Sequence, residues 1–480
     1  MDYSLYIAQL KFIVPELIVL AFALVAMLAH LFIKSKGKRI AGIISILGLI
    51  AGAVALLKTP ITNGEIYSGN LVVDQFAFYF KIIFLISGLL TIVLSFKFFD
   101  VEKSEPGEAY YLIMLSVVGM MFVVSAVDLI TFYIAFETFA LSSYILAGIF
   151  KKDKRSSEAG IKYFILGTLS SAIMVLGVAL LVGIAGSTNY AEISKILSST
   201  ATSKLALTGM LLLFSGLFFK LALVPFHMWT PDVYEGAPTP LVVFLSTAPK
   251  AALFAILIRM IFSIFTVFQN QWTMVFQVIA IVTMFWGNLA ALTQKNIKRM
   301  MAYSSIAHAG YIMMGLAAFG AMGNIAVLFY LFVYLFMNAA AFGMILLVQK
   351  QNGFGENIDD MKGFAKKSPV MASGIIVLLL SLTGIPPTAG FMGKYFLFAA
   401  VVEKGLYTLA IIGALNSVIS LFYYFQIGKA MFMEEAIAEA TPDKSYYARS
   451  VILLSAIIIL IIGILPTALT YFVTASTLVK

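Results

Sequence analysis

Thr383, Gly384, Ile385, Pro386, Pro387, Thr388, Ala389 and Gly390, followed closely by Lys394, interrupt an apolar run that otherwise extends from about residue 370 to 402. Proline has no backbone N–H and its ring clashes with the preceding turn, so two adjacent prolines split such a run into two half-helices joined by unwound chain. In a hydrocarbon layer, unwound backbone persists only where it is buried in protein or faces water. A second run breaks the same way, with Lys220 ahead of Pro225 and Pro231. Each break therefore carries a lysine at its edge.

Composition makes the bilayer the solvent for this chain. Hydrophobic residues fill 61% of its 480 positions and charged residues 11%, too little polar cover for a soluble fold. Apolar runs lie near 12–33, 40–57, 76–98, 110–126, 129–149, 161–184, 205–228, 240–262, 273–293, 299–318, 323–349, 370–402, 406–432 and 450–473. Each is long enough to cross a hydrocarbon core of about 30 Å. The fold class is thus an all-α membrane protein of about fourteen transmembrane helices. The two broken spans are five helices apart, an odd number that gives them opposite orientations. That is the signature of two inverted five-helix repeats, each containing a broken helix. The chain divides into flanking helices at 1–109, a first repeat at 110–262, a second at 263–432 and a final flank at 433–480.

The run from Phe12 to Ile33 is too long for a signal peptide, and Met1 to Gln9 lacks a basic region, so the first span is expected to be retained. Lys34, Lys36, Lys38 and Arg39 behind it form a stop signal that belongs in the cytoplasm. Alternating the loops from there puts Lys151 to Arg155, Lys295 to Arg299, and Lys362 with Lys366 and Lys367 on one side. Roughly twenty basic residues fall in that set of loops against about six in the other. Both termini, including Lys480, are then outside. The formal net charge of +9 reflects this orientation and does not call for nucleic acid. Cysteine is absent, which excludes disulfides, iron–sulfur ligation and a thiol nucleophile. Neither a metal cluster nor a phosphate loop is legible, so no cofactor is expected in this chain.

Ionisable residues deep in apolar runs carry the functional signal, because each costs several kcal/mol unless it meets a partner or a wet cavity. Glu137 lies mid-helix with Tyr133 one turn before it; Lys220 precedes the first break; Lys250 has Ser246 and Thr247 one turn back; Lys394 follows the second break. Static ion pairs or lysines reaching to an interface are the alternative reading. Four such residues, two of them at helix breaks, favour transport, with Glu137 paired to Lys220. His308, with Ser304 and Ser305 one turn away, is either a hydrogen-bonded structural histidine or a proton relay, its reference pKa lying near 6.5. His227 is expected to orient the first break or bind its backbone, and His30 to be an interface residue. The remaining aromatic residues read as lipid-facing or packing groups. In the resulting scheme Glu137 tunes Lys220, Lys250 carries the proton laterally, and Lys394 with His308 serves the exit.

At these same residues the sequence resembles the antiporter-like membrane subunits of respiratory complex I, and within them the N type. The stretch Leu223 to Pro240 (LVPFHMWTPDVYEGAPTP) carries the N-type likeness. Leu245 to Lys250 (LSTAPK), Lys298 to Tyr311 (KRMMAYSSIAHAGY) and Thr383 to Lys394 (TGIPPTAGFMGK) support it. The resemblance covers nearly the whole chain. It implies proton translocation through Glu137, Lys220, Lys250 and Lys394, coupled to electron transfer in partner subunits that bind NADH and quinone. It also implies docking between neighbouring membrane subunits in a bacterial inner membrane. Asn338 occupies a place in the eleventh span where an ionisable relay would help, leaving His308 to serve alone. Two other functions compete: an Mrp-type cation/proton antiporter subunit, which shares the half-helices and buried lysines, and a purely structural scaffold.

Overall fold

A computed structural model of the chain describes residues 7–33, 37–62, 64–101, 106–199, 204–348, 355–435 and 446–478. Lys34, Lys36 and the terminal Lys480 lie outside the described residues. The chain folds into helices α1 (Val14–Phe32), α2 (Gly37–Lys58), α3 (Gln75–Val101), α4 (Glu108–Ser125), α5 (Leu129–Ala147) and α6 (Lys154–Ala185). Next come α7 (Lys204–Leu221), α8 (Trp229–Gly236), α9 (Thr239–Ser263), α10 (Gln269–Leu292), α11 (Ile297–Ala317) and α12 (Ala321–Val348). The last are α13 (Pro369–Thr383), α14 (Ala389–Glu403), α15 (Tyr407–Met433), α16 (Tyr446–Ile464) and α17 (Thr467–Ala475). Among the described residues, 12 helices are long and apolar enough to cross a membrane. That set omits α11, which holds Ser304, Ser305 and His308, and the α13 and α14 halves of the second broken span.

Local chemistry sets the boundaries. Asp128 caps α5 by accepting from the Thr131 N–H at 2.8 Å, Asp153 caps α6 through Arg155, and Asn296 caps α11 through Arg299. Helix α6 begins seven residues before the expected span because its first turns, with Lys154, Arg155 and Glu158, stand clear of the apolar region. Two features were not legible as elements: a surface helix at Tyr190–Ser199, which buries Tyr190, Ile193 and Leu197 on one face, and a hairpin of Glu65–Ile66 with Leu71–Val72. The last span, expected to be continuous, stops at Leu465 and Pro466 and restarts as α17, since Pro466 cannot donate to the preceding turn.

Apolar and polar faces are arranged for a lipid solvent. Every residue of α9 from Thr239 to Ile261 is buried, whereas α5, α6 and α15 present Ile134, Leu169, Leu176, Val418 and Phe422 outward. Helix contacts fall into two matching sets. Helix α4 packs on α5 and α9, α6 on α5, α7 and α8, and α7 on α9; likewise α10 packs on α11 and α15, α12 on α11, α13 and α14, and α13 on α15.

The expected basic loops do meet on one face. Glu356 pairs with Arg155 at 3.6 Å and Lys298 at 3.3 Å, its carbonyl accepts from the Ile297 N–H, and Asn296 bridges Asn357. Arg299 reaches from this knot to Asp232 and Glu235 of α8 at 2.8 and 2.9 Å. At the opposite end, Arg259 forms a two-armed bridge to Asp74 at 2.9 and 3.0 Å and donates to the Val124 carbonyl. Burial alone would push the Asp74 carboxyl up, but the Arg259 guanidinium outweighs it and holds the group below the usual carboxylate range.

Candidate functional site, a row of buried lysines

Both breaks form where the prolines demanded them. Helix α7 ends at Leu221, Ala222 takes a φ of 59°, and Val224–Pro225 is cis. The freed Val224 N–H donates to the Thr283 hydroxyl at 3.1 Å, and the Trp229 indole N–H returns from α8 to the Phe219 carbonyl at 2.8 Å. In the second break α13 ends on Gly384 at a φ of 91°, Pro386–Pro387 is cis, and the Gly390 N–H donates to the Ser381 hydroxyl at 3.0 Å. Side chains and the opposing half-helix thus satisfy the backbone that the prolines leave open.

Lys220, Lys250 and Lys394 are each 3% exposed or less. Lys220 Nζ donates to the Tyr144 hydroxyl and lies 3.9 Å from the centre of that ring, with Phe136 and Tyr163 at 5.5 and 5.2 Å. Lys250 Nζ donates to both the carbonyl and the hydroxyl of Ser305, at 2.8 and 2.6 Å. Lys394 Nζ donates to the Thr383 carbonyl at 2.7 Å and sits 4.5 Å above the Tyr311 ring. Neutral oxygens and aromatic faces hold all three. Elsewhere the protein builds ordinary buried ion pairs, as with Glu16 and Lys81 at 2.6 Å, a pair that went unnoticed in the sequence because each member lies within two turns of its helix start.

The expected Glu137 to Lys220 pair is not formed. Glu137 is only half-buried, its Oε1 lies buried without a hydrogen-bond partner, and it acts on Lys220 through space. Tyr144 takes the contact because it follows Glu137 by two helical turns and so reaches deeper along the same face. Ser246 and Thr247 do not serve Lys250 either. Both bond back to the Val243 carbonyl, and Thr247 also meets Ser87 of α3 at 2.7 Å. The two serines beside His308 do enter the site: Ser305 holds Lys250, and Ser304 bonds to the Tyr424 hydroxyl. His308 stands between two phenols, Nδ1 at 2.7 Å from Tyr330 and Nε2 at 3.1 Å from Tyr424. Asn338 donates to the Tyr334 carbonyl and so orients a member of this group.

His227 stays at the first break as expected, its side chain directed at the Pro225 backbone. The ring packs edge-on against Trp286 at 5.5 Å. His30 lies 3.8 Å from Glu108. Tyrosines are what the sequence reading passed over. Tyr144, Tyr163, Tyr311, Tyr330, Tyr334 and Tyr424 are all buried, and they face the lysines, His308 and Ser305 rather than lipid. Spacing held part of the signal: Tyr330 and Tyr334 are one turn apart on α12, and Tyr311 is one turn beyond His308.

Residues 126–420, which hold all five of the expected site residues, match the family described as NADH:quinone oxidoreductase/Mrp antiporter, transmembrane. The chain belongs to this family. Its likeness to the N-type members extends beyond the matched region. It is 40% identical over 89% of its length, and 88% of the relative's, to a protein of Trichlorobacter lovleyi named NADH-quinone oxidoreductase subunit N. A chain of respiratory complex I from Thermus thermophilus, solved with aureothin, superposes with a TM-score of 0.81 at 30% identity, covering 96% of this chain and 100% of that one. A chain of the Mrp complex of a Dietzia species shares the fold, with a TM-score of 0.81 at 20% identity over 98% and 97% of the two chains.

Proposed function

We propose that the chain is a multi-pass, proton-translocating subunit of an NADH-quinone oxidoreductase, docked among other membrane subunits and carrying no redox group of its own. One observation carries the mechanism: Lys220, Lys250 and Lys394 are buried without a carboxylate partner, each on neutral oxygen. An ammonium donates only, whereas a neutral amine keeps a lone pair that can accept from the same hydroxyl. Tyr144 and Ser305 can therefore serve either protonation state by turning their O–H, which a carboxylate cannot do. Buried ion pairs such as Glu16–Lys81 act as locks, and losing one member costs about 3–5 kcal/mol. The lysine row lacks such locks, which argues against a scaffold role.

Two inverted repeats, 110–262 and 263–432, account for the matching helix contacts, with α4 through α9 paired to α10 through α15. Adding α11 and the second broken pair to the 12 long helices, which already count the first pair through α7, returns about fourteen crossings and puts both termini outside a bacterial inner membrane. The Mrp reading rests on shared fold, while the N-type relatives match in sequence along the chain.

The test is quinone reduction by NADH with proton uptake in inverted membrane vesicles, comparing the native chain with Lys220→Ala after verifying assembly. Loss of both activities in an assembled complex is expected. Unchanged activities would return the buried lysines to a structural role.

A further inference from the structure

Lys151, Lys152 and Lys154 stand at the turn between α5 and α6, and that turn is tightly wound. The Ser156 hydroxyl donates to the Ala147 carbonyl at 3.0 Å, the Ser157 hydroxyl to the Lys151 carbonyl at 3.2 Å, and the Asp153 N–H to the Phe150 carbonyl at 2.9 Å. Beside it the two helices approach so closely that a methyl on Gly160 would lie 2.7 Å from the Gly148 Cα. The lysines are therefore presented from a fixed frame. Around them opens a cleft of about 490 Å³, lined by the three lysines with Ser157, Glu158, Ile161 and Lys162.

Charge in this cleft does not cancel. Lys162 is committed to Glu158 and Asp232, both at 2.7 Å. Asp153 is turned back onto the Arg155 N–H as the cap of α6. Among the described residues no carboxylate pairs with Lys151, Lys152 or Lys154. Apolar surface begins inside the cleft and runs away from it. Ile161 lines the cleft, and Ile165, Leu169 and Ile173 follow at intervals of four residues, all exposed on one face of α6. From Ile161 to Ile173 the helix rises about 18 Å, a little more than half of a hydrocarbon core of about 30 Å. The stripe thus has the depth of a single leaflet, with uncompensated positive charge at its head.

That combination fits a molecule with a negative head and a hydrocarbon tail. A free phosphate would use the lysines and leave the stripe uncovered, whereas an apolar partner helix would cover the stripe and leave the ammonium groups unanswered. We propose that the turn between α5 and α6 binds an anionic phospholipid, its phosphate held by Lys151, Lys152 and Lys154 and an acyl chain laid along Ile161, Ile165, Leu169 and Ile173. The site needs only the membrane setting of the chain and is independent of the proton path.

The test places a photoreactive side chain in the stripe, as Ile165→p-benzoylphenylalanine, in the assembled complex. The complex is reconstituted in phosphatidylcholine vesicles containing phosphatidylglycerol as a minor component, irradiated, and its adducts on this chain are identified by mass spectrometry. The same probe at Leu415, on the exposed face of α15, reports the bulk lipid. Phosphatidylglycerol should be enriched at Ile165 over Leu415, and the enrichment should fall about fivefold for each of Lys151→Gln, Lys152→Gln and Lys154→Gln, the charge effect expected near an anionic head group. Equal proportions at the two probes, or an enrichment that survives all three substitutions together, would overturn the site. Cross-linking of Ile165 to a neighbouring protein chain in place of lipid would overturn it as well.

Discussion

Tyr144 does for Lys220 what a carboxylate was expected to do, and the difference is chemical. A phenol offers one donor and an acceptor, so it can follow the amine through both protonation states, whereas Glu137 in direct contact would hold the ammonium. Tyr144→Phe removes that single oxygen from a bond to a charged group, worth about 1.5–3 kcal/mol. We expect proton uptake in vesicles of the assembled complex to fall about tenfold or more, with the ring packing on Tyr163 retained; full activity would remove Tyr144 from the path. The lysines were legible in the sequence because a charge in an apolar run stands out against its neighbours. Tyrosine does not, since it counts as apolar and aromatic in any window, and only the structure separates Tyr144 from the many packing rings. His308 was legible as a residue, but its two phenol partners come from α12 and α15, 22 and 116 positions away.

Helix breaks were legible for the same elementary reason, and both fell where proline removes a donor. Less legible was what closes over them. Helix α16 crosses the second break so tightly that a methyl on Gly463 would lie 2.1 Å from the Pro387 carbonyl and 2.5 Å from Thr388. These are backbone atoms that cannot turn aside. Gly463→Ala should therefore push α16 away from the break or distort the unwound segment, at about 1–3 kcal/mol of overpacking strain. The expected outcome is a lower melting temperature of the purified complex, by a few degrees; an unchanged transition would mean that α16 and the break are loosely apposed. Nothing in the sequence around Gly463 marks it, because close approach depends on two segments about 75 positions apart. The break in the last span at Pro466 was missed for a different reason: it falls near the end of an apolar run, where a window average hides it.

Across the whole molecule, charge ordered the loops before any contact was known. Lys151 to Arg155, Lys295 to Arg299 and the segment from Glu356 to Lys367 converge on one face, as the distribution of basic residues required. The chain contains no cysteine, so single cysteines report topology without interference. A thiol reagent that cannot cross membranes should label Lys366→Cys only in inverted vesicles, and Lys195→Cys, on the surface helix, only in right-side-out ones. Labelling of both from one side would overturn the orientation. The spacing of the two breaks raised a repeat as an expectation, whereas the matching of the two sets of helix contacts needed three dimensions. Ser305, on the second set, meets Lys250 of the first, and its one hydroxyl also accepts from Tyr334. Such a hydroxyl admits one passage at a time and is left facing the wrong way afterwards, like a turnstile that must swing back. On the proposed function, the middle of the protein would meter protons singly however many wait at either surface, at a pace set by how quickly one side chain resets.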